Sequence, residues 1–461
     1  MKHTEPGMHA IVMGLGRFGG GSGVVTYLHG RGMSVLVTDL SKAEDLQDSI
    51  DRLAPLAEDG RLEYQLGTHD GVPFETADLV VASPAVPRPW NNPYLKRAQE
   101  AGVPIRTEIE LLLDRIDHRK LVAVTGSAGK SSTSAMIHHL LERSGRRSLL
   151  GGNLGGSLLG CTQQELDEAE AVVLELSSFM LHWIGASNTP FVPATAVLTT
   201  LSPNHLDWHD SADHYVSSKA TLLAAVPNGN LILPVNRSAI EPEMARILDS
   251  CIDLQGRSDR SWEDQEQRME LDQAIRMKIP GTHQRENAMV ALMAVACLLE
   301  KAPTKRRALA LELAPELDSF SGLPHRLKPL SGFNEVMVVD DSKSTTPEAA
   351  VRAVEAFETP SSIHLIAGGF DKGSDLSAID QLGHRVAGLY AIGATSSQLL
   401  SGPNASSCET IDEAVRRASR EMGAGEILLL SPGCASWDQF DNYEQRGRAF
   451  ESAARTHLEG R

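Results

Sequence analysis

Paired cysteines, long apolar runs, internal repeats and an excess of basic charge are all missing from this sequence. The five cysteines, Cys161, Cys251, Cys297, Cys408 and Cys434, are odd in number, widely spread and without CxxC spacing. That excludes a disulfide framework and a structural zinc site, and fits a reducing cytoplasm. No apolar run approaches the roughly 18 residues of a membrane span, and Lys2 is followed by Glu5, Pro6 and Gly7 rather than an apolar leader segment. A protein that is neither exported nor membrane-embedded is expected. Acidic residues number 60 against 43 basic ones, a net charge of −17. The chain as a whole would repel a nucleic-acid backbone or an anionic membrane, although local basic pockets remain open to it. What is present is apolar material for well-filled interiors, 41% of 461 residues. At about 150 residues per core, that length suggests three domains.

The stretch around which the chain is organised is Leu121 to Thr133, LVAVTGSAGKSST. Four apolar residues read as a buried strand, Gly126 and Gly129 as a turn, and Lys130, Ser131, Ser132 and Thr133 as the start of a helix reaching about Arg143. Such a turn binds phosphate, because glycines let backbone N–H groups face anionic oxygens and the helix N-terminus adds about half a positive charge. Lys130 would neutralise phosphate and Ser131 ligate magnesium, the pattern being TGxxGK[ST][ST] with Val124 in place of the usual first glycine. Glycines and a lysine that merely cap a helix would give the same string.

Upstream, HAIVM (9–13) predicts a strand leading into GLGRFGGGSG, with a helix through Val24, Val25 and Leu28 and a second strand at 34–38. Gly14, Gly16 and Gly19 form GxGxxG, and Asp39 lies twenty positions on. A dinucleotide, a UDP-sugar or a plain glycine turn all fit this pattern. Asp78 to Pro84 predicts another strand entering a Pro-rich loop, Pro104 to Arg106 a short one, and Glu108 to Ile116 a helix. Downstream, GGNLGGS (151–157) is polar enough to contact a ligand. The strand Ala171 to Leu176 carries Glu175 near its end, a costly place for a carboxylate unless a cation meets it. Magnesium or a buried Arg or Lys would serve.

The run Thr195 to Leu201 ends in SPNHLDWH, where His205 could ligate a second metal or stand as a surface polar group, and the next helix carries Lys219. Leu231 to Val235 reads as a further strand, and 241–277 as charged and poorly periodic. PGTHQREN (280–287) is expected to precede an alanine-rich helix, with polar groups that hold adenine or cap the helix. FSGLPHR (320–326) is a joint between domains. Beyond it, the strands 335–339, 363–367 and 426–430 run into DDSKSTT, GGFDKG and SPGCASWDQF, three polar loops along one edge of a parallel sheet.

Taken in order, these motifs resemble the Mur ligases of peptidoglycan synthesis over nearly the whole chain. They are GxGxxG at Gly14, TGSAGKSS at Thr125, GGNLG at Gly151, LELSSF at Leu174, NHLDWH at Asn204, Lys219, GLPHR at Gly322, DDSKST at Asp340, GGFDKG at Gly368 and SPGCASWDQFDNYEQRG at Ser431. The central motifs are common to sister ligases and folylpolyglutamate synthases, whereas DDSK and SPxCASxDQFxxxxxRG are similar to the branch that adds D-glutamate. The resemblance implies an α/β protein of three domains. A Rossmann-like domain at 1–105 would hold a UDP-muramoyl substrate, a central P-loop domain at 106–323 ATP, and a Rossmann-like domain at 324–461 the amino acid. It implies ATP-dependent amide formation through an acyl phosphate.

The same resemblance implies ATP contacts from Gly126, Ser127, Gly129, Lys130, Ser131, Ser132, Asn287, Arg326 and Asp341. It gives Mg2+ at two sites (Mn2+ being compatible) held by Ser131, Glu175, His205 and a carbamoylated Lys219. Catalysis would involve Lys130, Lys219 and His205. UDP-substrate contacts would come from Gly14, Leu15, Gly16, Arg17, Asp39, Asn153 and Ser177, and glutamate contacts from Thr345, Lys372, Ser436 and Tyr443. The expected partners are these small molecules, without nucleic acid or membrane, and the expected state is a monomer. Ala128, Met180, Asn204, Gln284 and Tyr443 depart from the family's usual Asn, Gln, Asp, Asn and Phe. The alternatives are a nicotinamide oxidoreductase built on GxGxxG and a sister ligase for another amino acid.

Overall fold

Sixteen short strands, most of them buried on both faces, form three sheets in a computed structural model that describes residues 4–458 apart from Phe18, Asn188, 255–257 and 260–264. The first sheet comprises β1 (His9–Met13), β2 (Ser34–Asp39), β3 (Leu62–Leu66), β4 (Leu79–Ala82) and β5 (Ile105–Arg106) in the order β3-β2-β1-β4-β5. All its pairings are parallel. The chain moves outward from β1 on one side and returns to β4 on the other, so the ends of β1 and β4 diverge and leave a crevice there.

The second sheet is also all parallel: β6 (Leu121–Thr125), β7 (Ser148–Gly152), β8 (Ala171–Glu175), β9 (Thr195–Leu198) and β10 (Leu231–Ile232), ordered β10-β9-β6-β8-β7. Strand β6 is central and wholly buried. Its leucine and valine side chains each contribute about 1.5–3 kcal/mol by leaving water, which fixes the height at which the following turn emerges. The strand expected over 231–235 keeps only two residues, because Pro234 has no N–H to continue the ladder.

The third sheet runs β11 (Lys328–Leu330), β12 (Met337–Asp340), β16 (Ile427–Leu430), β13 (Ile363–Gly368), β14 (Gly388–Ile392) and β15 (Ala405–Ser407). Only β11 is antiparallel. Two compact units result, one of 1–274 with 286–315 and the other of 275–285 with 316–461. The first holds the first two sheets and the second holds the third. The alanine-rich helix begins at Thr282, earlier than expected, so Asn287 lies within it rather than before it. Among the described residues, no helix is long and apolar enough to cross a membrane.

Candidate active site

At the end of β6 the chain turns through Gly126 (φ 151°) and Gly129 (φ 82°) into the helix Lys130–Arg143. A Cβ on Gly126 would collide with the Thr199 hydroxyl, and one on Gly129 would stand 2.6 Å from Asn287 Oδ1. Glycine is therefore required on steric as well as conformational grounds. The turn is tied to the segment after β9: Ser127 N donates to Thr200 O and Ala128 N to Thr200 Oγ1, both at 2.8 Å. Ser127 Oγ donates to Ser202 O (2.8 Å) and lies 2.6 Å from the Tyr215 hydroxyl. The amides of Ser127 and Ala128 are thus spent on structure, which leaves anion binding to the helix N-terminus and Lys130. The Lys130 ammonium donates to the carbonyls of Gly126 and Ser127, each at 2.9 Å, while Ser131 and Ser132 are buried in the first turn of the helix.

Beside this turn, at the end of β8, Glu175 is only 1% exposed. Its Oε1 accepts from Asn153 Nδ2 at 2.8 Å, and Oε2 is buried without a partner. Lys219, also 1% exposed, projects from the helix Ala212–Ala225, donates to Gly126 O at 2.8 Å and packs on the Tyr215 ring. Burial above all, and then the Lys130 cation, push the Lys219 amine well below its ordinary pKa, with Glu175 opposing. His205 occupies the left-handed region (φ 54°) at the start of the short helix Leu206–His209. Burial and then Lys130 hold its imidazole below the ordinary value. Among the described residues, no three His, Cys, Asp or Glu side chains converge as a metal site. The donors here are instead a carboxylate with an unmatched oxygen, the serine of the helix's first turn and an amine held well below its ordinary pKa. An oxygen-loving divalent cation suits that set, since an unpaired buried carboxylate oxygen is costly.

The crevice between β1 and β4 opens into a cleft of about 250 Å³ walled by both sheets of the first unit, with Gly14, Leu15, Gly16, Asn153 and Ser177 in its lining. A Cβ at Gly14 would stand 2.7 Å from that of Ser83, so the turn approaches the β4 loop as closely as it can. Two residues expected to meet a ligand here are otherwise engaged. Asp39 Oδ2 accepts from the amides of Leu15 (2.9 Å) and Gly16 (3.2 Å), and Oδ1 from Ser41 N, so this carboxylate braces the turn. Arg17 is paired with Asp45 at 2.9 Å on the surface.

Sequence reasoning missed three features of this unit. Glu108 lines the cleft, beside Ser157 of the loop 151–157 already expected to contact a ligand. Trp90, Trp208, Phe179, His182, His209 and His214 form one aromatic cluster. In it, His214 Nδ1 faces His209 O (3.0 Å), so that nitrogen carries the proton and Nε2 accepts from His182 Nδ1 at 3.0 Å. The recurrence of His and Trp in WHDSADH was the only sign of it. A buried Arg306–Asp259 pair (2.7 Å), with Arg306 also bonded to Gly229 O, Asn230 Oδ1 and Glu300 O, left no legible trace.

In the second unit the ends of β12, β13 and β16 come together: Gly433 N donates to Ser344 O (3.0 Å), Gly368 N to Pro432 O (2.8 Å) and Phe370 N to Ala435 O (2.9 Å). Thr345, Lys372, Ser436 and Tyr443 lie on or just beyond these loops. Lys372 sits over the Trp437 ring at 4.7 Å, Ser436 is buried, and burial drives the Tyr443 hydroxyl to a higher pKa. Arg446, matched by the SPxCASxDQFxxxxxRG pattern but given no role there, is fully buried and binds Cys434 O, Ala435 O and Ser342 O, which staples two of the loops. Asp341 is buried as well, its oxygens taken by Leu327 N (3.1 Å) and Ser431 Oγ (2.8 Å), and burial raises its carboxyl to about 7. As it stands, that carboxyl holds loops together. Arg326 lies just before β11.

Comparison with known proteins places these features in a family. The models for the Mur ligase MurD-like N-terminal domain and the Mur ligase middle domain match residues 8–107 and 124–295. UDP-N-acetylmuramoylalanine--D-glutamate ligase of Desulfatibacillum aliphaticivorans is 31% identical over 93% of this chain and 94% of its own length. The enzyme of the same name from Acidobacterium capsulatum is 32% identical over 98% and 97%. Among solved structures, MurF ligase from Thermotoga maritima in complex with ADP aligns with a TM-score of 0.55 at 13% identity, covering 100% of this chain and 99% of that one. UDP-N-acetylmuramate-alanine ligase from the same organism aligns at 0.54 and 19%, covering 97% and 99%. At these identities the two structures speak to the fold alone.

Proposed function

Because this chain belongs to the family of UDP-N-acetylmuramoylalanine--D-glutamate ligases, we propose that it joins D-glutamate to UDP-N-acetylmuramoyl-L-alanine at the expense of ATP, in peptidoglycan precursor synthesis. The arrangement that carries this reading is the grouping of Lys130, Lys219 and Glu175 around one glycine turn.

A carboxylate is a poor acyl donor because its oxygen cannot leave as an oxide. Transfer of the γ-phosphoryl group of ATP to the alanyl carboxylate makes that oxygen part of a phosphate. The amine of D-glutamate then attacks the acyl carbon, and the tetrahedral adduct expels inorganic phosphate with loss of a proton from nitrogen. Such catalysis consists mostly of positioning and charge neutralisation. The helix N-terminus and Lys130 draw in the phosphates, with Gly126, Ser127, Gly129, Ser131 and Ser132 shaping the turn and Asn287 beside it. Magnesium, when bound, supplies positive charge to the transferring phosphoryl group, and Ser131, Glu175, His205 and a carbamoylated Lys219 would hold it. The neutral amine of Lys219 is the form that takes up carbon dioxide, giving an N-carboxylate and one proton. That change puts an anion beside the Lys130 cation.

Residues 1–105 are assigned to the UDP-muramoyl ligand through Gly14, Leu15 and Gly16, with Asn153 and Ser177 toward its muramoyl end. Asp39 acts on the turn, and Arg17 would first have to leave Asp45. Residues 106–323 are assigned to ATP and 324–461 to the amino acid through Thr345, Lys372, Ser436 and Tyr443, with Lys372 pairing a carboxylate. Arg326 and Asp341 are assigned to phosphate and ribose. The five cysteines are free, in keeping with a reducing cytoplasm, and a monomer is the proposed state.

The test is phosphate release by the purified protein with ATP and magnesium. Release that requires both UDP-N-acetylmuramoyl-L-alanine and D-glutamate, and is not sustained by L-glutamate, is expected. Release without either acceptor, or consumption of NADH, would overturn the reading.

A further inference from the structure

We propose that Glu108 is a binding residue of the first unit's cleft, accepting a hydrogen bond from an uncharged N–H or O–H donor of the hexosamine portion of the UDP-muramoyl ligand. The assignment rests on the cleft's role given above. The helix Glu108–Leu113 is buried along its whole length, and its two carboxylates behave differently. Glu110 is consumed by structure: Oε2 accepts from Thr107 N and Thr107 Oγ1 at 2.7 Å each, and Oε1 from Thr189 Oγ1 at 2.9 Å. Glu108 is 7% exposed, and what exposure it keeps is to the cleft that it lines. Its Oε1 accepts from Ser157 Oγ at 2.7 Å, and among the described residues no hydrogen bond or ion pair reaches Oε2.

A carboxyl buried at such cost, with one acceptor unspent toward a ligand cavity, is a recognition group awaiting a donor. The chemistry of the cleft limits which donor. The glycine turn and the N-terminus of the helix Gly20–Gly30 suit the diphosphate, and a carboxylate gains nothing from facing an anion. Glu108 is joined through Ser157 to the loop that carries Asn153, the residue assigned above to the muramoyl end of the ligand. Between the diphosphate and the reacting carboxylate, the ligand offers sugar hydroxyls and an acetamido N–H.

Calorimetric titration of the full chain with UDP and with UDP-N-acetylmuramoyl-L-alanine tests this. E108A is expected to bind the full ligand about tenfold more weakly and UDP as the wild type does. E108Q, nearly isosteric and with a neutral acceptor, is expected to lose a few-fold. In turnover, KM for the UDP substrate should rise by the same factors while kcat and the KM for ATP hold. A folded E108A or E108Q that binds the full ligand like the wild type would overturn the assignment. So would an equal loss for UDP. Should the wild type bind the full ligand no better than UDP, the role of the cleft itself falls, and this assignment with it.

Discussion

Burial drives Lys219 towards the neutral amine, the Lys130 cation pushes the same way, and Glu175 alone resists. If the amine serves as a carbamate, removing it deletes a negative ligand from a charged site, and K219A should lose about 10²–10³-fold in phosphate release. Part of that activity should return with millimolar formate or acetate. Full activity in the untreated variant would end the carbamate role. The histidines of the aromatic cluster act on stability instead. Burial lowers His182 from 6.5 to about 4 and His209 to about 3. The unfolded chain therefore takes up protons near pH 6.5 that the folded chain refuses until pH 4 or 3. Stability contributed by the neutral rings is complete above about pH 6.5 and is lost as the pH falls through that window. Thermal melts between pH 7 and 4.5 should show the loss, and H182Q should flatten the slope; an unchanged slope would show that His182 does not set it.

Two elements can be tested where backbone and neighbour act together. Gly126 (φ 151°) is pressed against Thr199 and Gly16 (φ 62°) has open space around it, although both have positive φ. G16A should cost about 1 kcal/mol from strain alone, whereas G126A should cost at least 2–3 kcal/mol because the turn must also move. Urea unfolding of the two variants compares them directly, and equal costs would show that the contact with Thr199 is relieved at no expense. Arg306, on the helix Pro303–Leu313, joins that helix to Asp259, Gly229 and Asn230. R306A removes the cation from a buried acid and should cost about 3–5 kcal/mol in the same experiment. The strand–turn–helix units were legible in the sequence, because parallel strands covered on both faces are unbroken apolar runs and their turns need glycine. The long-range bond partners of Asp39, Asp341 and Arg306 were not, because those partners lie 14 to 90 positions away in the chain and no local pattern marks them.

Each unit has its own apolar cores, those of the first unit built from residues between 10 and 313 and those of the second from residues between 327 and 458. Calorimetry of the full chain should therefore show more than one transition rather than a single two-state peak. The cleft proposed for UDP is lined wholly from the first unit, so UDP at about 100 times its dissociation constant should raise one transition by a few degrees and leave the other where it was. Equal shifts of both would contradict a site confined to one unit.

The motifs, their order and the class of reaction were set by the sequence, because a phosphate turn, a strand-end acid and a lysine carry their chemistry wherever the chain folds as three α/β sheets. Which of these groups remain available was decided only by tertiary structure. Asp39 and Asp341 were claimed by nearby amides and a hydroxyl, while Glu175 and Glu108 were each left with an oxygen to spare. The physical reason is that a carboxylate's use depends on which donors packing brings within 3 Å, and those donors are distant in sequence.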